Sequence, residues 1–68
     1  MIPANDEPRL ISVKDASRMT GMSRSMISAL RTDGAFPVAV SLGERKIVFV
    51  RSEVAAWIDA KIAARSVA

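Results

Sequence analysis

Apolar positions along this chain change period several times, and each change marks an element. Val13, Ala16, Met19 and Thr20 recur at the spacing of one helical face. They follow Ser12-Val13-Lys14-Asp15, which fits a capping box with Ser12 at the cap and Asp15 standing in for glutamate. The pattern predicts a helix over 13–20. Gly21 accepts the left-handed backbone that commonly ends a helix, and Ser23 is a good cap for the next. Thr20 to Ser23 therefore reads as a short turn between two helices, the arrangement of a helix-turn-helix. The second helix is expected from Arg24 to Asp33, stopping at Gly34. Ile27 and Leu30 face inward, and Arg24, Ser25, Ser28, Ala29, Arg31 and Thr32 are spread around the rest.

Pro37 keeps that helix from resuming. Val38 to Leu42 and Lys46 to Val50 are β-prone runs on either side of Gly43-Glu44-Arg45, which predicts a small hairpin. Ser52-Glu53 is expected to cap a last helix in which Val54, Trp57, Ile58 and Ile62 form a buried stripe, with Trp57 as an anchor of the core. The expected fold is thus mainly α with a small β-hairpin, a winged helix-turn-helix occupying residues 9–65. Residues 1–8 hold two prolines, two acids and little to bury, and are expected to form a disordered tail.

Composition narrows the chemistry. The chain has 68 residues with no cysteine and no histidine, which removes disulfides, thiol chemistry, imidazole catalysis and the usual zinc ligands. Its serines lack a histidine base, no paired carboxylates share an obvious cleft, and no glycine-rich phosphate loop occurs. An enzyme is not expected, nor a metal or cofactor. No apolar run approaches the roughly 20 residues of a membrane span, and no signal-peptide pattern opens the chain, so a cytoplasmic protein is expected.

Charge placement is more informative than the net value of +3. From Arg9 to Arg51, eight basic side chains face three acidic ones, giving this stretch +5, while the flanks are net acidic. A basic centre suits a polyanion such as nucleic acid. A helix fits the major groove of B-form DNA, and in a helix-turn-helix the start of the second helix meets base edges. That makes Arg24, Ser25 and Ser28 candidate groove contacts, with Ser23 capping the helix where its amides would face a phosphate. Arg45 at the hairpin tip and Lys46 beside it are candidates for a phosphate or an adjacent minor groove. Arg18 and Arg31 are candidate phosphate positioners.

Several motifs in order resemble the AlpA family of phage and prophage regulators, a MerR-like, excisionase-like winged helix-turn-helix group. They are Arg9-Leu10-Ile11, Thr20-Gly21-Met22-Ser23-Arg24-Ser25, Gly34-Ala35-Phe36-Pro37, Leu42-Gly43 with Arg45, and Ser52-Glu53-Val54 with Ala56-Trp57-Ile58. The likeness runs from Arg9 to about Ile62. It implies a sequence-specific binder of double-stranded DNA that regulates transcription, for example of an integrase gene, or acts as an excisionase. The family's groove-facing helix then falls on Arg24, Ser25 and Ser28, and its wing on Arg45 and Lys46. Ser28, Ala29 and Asp33 stand where the family often carries bulkier or basic residues, which implies weak binding by one copy and a cooperative or oligomeric assembly on DNA. Phe49 replaces a frequent tryptophan, a conservative core exchange. The alternative is a protein-interaction module whose basic face is only solvated.

Overall fold

In a computed structural model that describes residues 8–65, the chain forms six elements. These are β1 (Leu10–Ile11), α1 (Val13–Thr20), α2 (Arg24–Thr32), β2 (Val40–Ser41), β3 (Ile47–Val50) and α3 (Arg51–Ala64). Apart from Pro8, the segment expected to be a disordered tail lies outside the described residues.

Helix α1 starts where its sequence directs, because the Ser12 side chain accepts the Asp15 N–H at 3.0 Å and satisfies one of the free donors of the first turn. Gly21, at φ 75°, ends it in the left-handed region. The end of α2 is a full Schellman motif. Gly34, at φ 71°, donates to the Arg31 carbonyl at 3.0 Å, and Ala35 donates to the Leu30 carbonyl at 2.8 Å. The chain thereby turns back and delivers Phe36 to the core.

The sheet contains one more strand than the hairpin expected from the sequence. Its order is β1-β3-β2, both pairings are antiparallel, and β1 lies against β3 with Leu10 opposite Val50 and Ile11 opposite Phe49. Two residues are too few to display the alternation by which a strand is recognised. The hairpin itself is shorter than its β-prone runs: only Val40 and Ser41 pair, with Val48 and Ile47. Val38 is 81% exposed, outside the ladder. The Leu42 N–H donates to the Lys46 carbonyl at 2.8 Å, which closes the tip around Gly43-Glu44-Arg45.

Helix α3 also begins differently from the expectation that Ser52-Glu53 would cap it. Val50, the last residue of β3, occupies the cap position without a side-chain hydrogen bond, and Ser52 and Glu53 lie in the first helical turn. Strand pairing explains the shift, because the Arg51 N–H, a free donor of the first turn, is taken by the Arg9 carbonyl at 2.7 Å. Glu53 still complements the helix dipole from inside that turn.

Ile11, Ala16, Ile27, Phe36, Phe49 and Val54 form the core, drawing on every helix and on the two strands β1 and β3. Phe49 is wholly buried and meets Phe36 edge-on, at 5.2 Å between centroids and 88° between planes. Burying such a side chain contributes about 1.5–3 kcal/mol. Trp57 is half-buried at the margin of the core, 5.0 Å from Phe36, and its indole N–H donates to the Ala35 carbonyl at 2.9 Å. It anchors α3 to the end of α2 by both ring contact and hydrogen bond. Ile62, expected on the buried stripe, is 50% exposed because α3 extends beyond the elements it covers.

Candidate nucleic-acid interface

Side chains fix the turn between α1 and α2. The Thr20 hydroxyl donates to the Ala16 carbonyl at 2.9 Å and accepts the Met22 N–H at 3.2 Å. The Ser17 hydroxyl donates to the Met22 carbonyl, so both polar groups of the Met22 backbone are held from α1. Met22 in turn packs its side chain against the core. Ser23 then starts α2, its hydroxyl accepting the Met26 N–H at 3.1 Å. The relative placement of the two helices thus rests on a hydrogen-bonded turn and on the shared burial of Ala16 and Ile27.

Burial orients α2. Ile27 is 1% exposed and Leu30 packs against the same cluster, so that side of the helix is committed to the core. Side chains advance by about 100° per residue around a helix. The side opposite Ile27 and Leu30 therefore carries Ser25, Ser28, Ala29 and Thr32, all exposed. Arg24, Ser28 and Arg31, at i, i+4 and i+7, run down one flank of that face and are exposed too. Arg24 and the two serines are brought together on one helix, as their spacing predicts.

Arg31 occupies a more structured place than a solvated charge. Its guanidinium carbon stands 5.9 Å from the centroid of the Phe49 ring, within cation–π range, so the exposed side chain reaches over the core. Arg18, on α1, has its guanidinium 4.0 Å from the Asp15 carboxylate, which offsets part of its charge. Arg45 and Lys46 are exposed at the end of the hairpin, on a different element from the α2 group. Two residues outside the predicted candidates, Ser17 and Thr20, hold the turn that positions α2. The signal for Thr20 is a hydroxyl residue directly before Gly21, since such side chains readily bond to local backbone groups in turns; Ser17, four residues before the glycine and inside α1, carries no such local signal.

Among the described residues, no group of acidic side chains is arranged to hold a metal ion, and no helix is long and apolar enough to cross a membrane. Residues 9–62 match the family described as prophage CP4-57 regulatory protein (AlpA). A protein of Enterobacteria phage P4, described as "Uncharacterized protein ORF88", is 38% identical over 64 residues, spanning 94% of this chain and 73% of that protein. No solved structure matches the chain.

Proposed function

The chain belongs to the AlpA family of prophage regulatory proteins, and we propose that it works as a winged helix-turn-helix that binds double-stranded DNA in a sequence-specific manner. The observation that carries this reading is the outward face of α2. It is exposed, carries only the short side chains of Ser25, Ser28, Ala29 and Thr32, and follows a turn whose geometry is set by hydrogen bonds from Ser17, Thr20 and Ser23. Short side chains at Ser25 and Ser28 allow close approach to the floor of a major groove, about 12 Å wide.

The basic centre draws the protein to the duplex and supplies affinity that is independent of sequence. Arg24, at the first helical position, donates to guanine or to a phosphate, while Ser25 and Ser28 hydrogen-bond to base edges. The backbone N–H groups that follow Ser23 donate to a phosphate oxygen at the start of α2. Arg18 and Arg31 set the helix in register through phosphates, and Arg45 and Lys46 reach the backbone or the adjacent minor groove from the hairpin tip. A module of this size covers about 600–1,000 Å². Useful occupancy therefore calls for several copies side by side.

Such a protein controls transcription of a mobile-element gene, such as an integrase gene, or shapes DNA for excision. Footprinting on DNA flanking its own gene and a neighbouring integrase gene separates the two. Protection over a promoter is expected for a regulator, and protection over recombination sites for an excisionase. Absence of protection on any such DNA, with folded protein, contradicts the reading.

A further inference from the structure

The exposed residues of α2 differ in what they still have to offer a partner. Ser25 and Ser28 hold hydroxyls for which no internal bond is needed, but the Thr32 hydroxyl donates its proton to the Ser28 carbonyl at 3.1 Å. Toward a ligand Thr32 therefore offers a methyl group and an oxygen with no proton to give. Ala29, three residues earlier, offers only a methyl. Residues at i and i+3 lie about 5–6 Å apart between Cβ atoms, so Ala29 and Thr32 make an apolar pair at the second half of a face that is otherwise polar. Packing within the chain does not account for the pair, since Ile27 and Leu30 serve the core from the other side and both Ala29 and Thr32 are exposed.

On the floor of a major groove one base presents an apolar group, the C5-methyl of thymine. We propose, resting on the groove-docking reading above, that the Thr32 methyl, flanked by Ala29, packs against a thymine methyl and makes this pair a determinant of specificity. The site read by α2 then divides into two parts. Its first part is read by the hydrogen bonds of Arg24, Ser25 and Ser28, and its second contains at least one thymine recognised by contact alone.

The test uses the whole protein and a duplex that it enriches from a randomised pool. Each thymine of that duplex is replaced in turn by 2′-deoxyuridine, which deletes the methyl and leaves every hydrogen-bonding group in place. Binding is expected to weaken about fourfold at one position, the worth of one methyl group withdrawn from water. Thr32→Ser keeps the hydroxyl and its bond to Ser28 while removing the protein methyl, so the deoxyuridine penalty at that position should vanish in this variant. Equal binding of all substituted duplexes overturns the proposal, and so does a penalty that persists undiminished in Thr32→Ser. Failure to enrich or bind any duplex would instead overturn the groove-docking reading, and it appears before any thymine is replaced.

Discussion

Thr20 offers a direct test of how the turn holds α2, because one hydroxyl carries two of its bonds. Thr20→Val preserves shape and β-branching while deleting the oxygen. The bond donated to the Ala16 carbonyl, 2.9 Å, is the smaller loss, since that carbonyl sits within α1 and also serves as a helical acceptor. Losing the acceptor of the half-buried Met22 N–H, 3.2 Å, weighs more. A net hydrogen bond contributes about 0.5–1.5 kcal/mol, and a donor left unsatisfied costs about 1–3 kcal/mol when fully buried. For a half-buried group the total comes to about 1–2 kcal/mol. A domain this small has roughly 3–5 kcal/mol in all, and each kilocalorie shifts Tm by about 4–8 °C. Thermal unfolding followed by far-UV circular dichroism should therefore show Tm falling by about 4–16 °C in Thr20→Val, with Thr20→Ser recovering most of the loss. Equal losses in both variants, or none in Thr20→Val, would refute the role given to the hydroxyl.

Other perturbations separate fold from contact. Gly34→Ala should cost about 1–2 kcal/mol in chemical denaturation, because the backbone there is left-handed and a Cβ would meet nothing within 4 Å; Gly34→Asn should cost less. Phe49→Ala should remove about 3–5 kcal/mol, enough to leave most of the protein without dispersed NMR signals at room temperature. Arg31→Ala should lower both Tm and DNA affinity, since its side chain lies over Phe49, whereas Arg45→Ala should lower affinity for all sequences alike and leave Tm unchanged. Arg24→Ala should lose about 1–3 kcal/mol and relax preference at one base pair, read in competition titrations with single-base variants.

Local chemistry made much of the fold legible. Ser12, Gly21, Ser23 and Gly34 each announce a helix end by side-chain or backbone preference alone, and the helix bounds follow them closely. What escaped depends on partners distant in sequence. Leu10 and Ile11 are a strand only because Val50 and Phe49 lie beside them. The start of α3 moved to Arg51 because the Arg9 carbonyl satisfies its N–H, a bond no local pattern reveals. Of the candidate site, Arg24, Ser25 and Ser28 follow from the Ser23 cap, which puts them in the first turns of the second helix. The lodging of Arg31 over Phe49 depends on tertiary packing, which no local pattern in the sequence reveals.

The central claim is that the basic centre and α2 together engage duplex DNA, and its most direct test is the salt dependence of binding. If Arg18, Arg31, Arg45 and Lys46 each neutralise one phosphate, log K should fall linearly with log salt at a slope of about −3.6 for an enriched duplex. The slope should become about 0.9 shallower in Arg45→Ala. A flat response, or no duplex affinity at low salt from folded protein, would contradict the account and leave the helix pair as a surface for docking another protein.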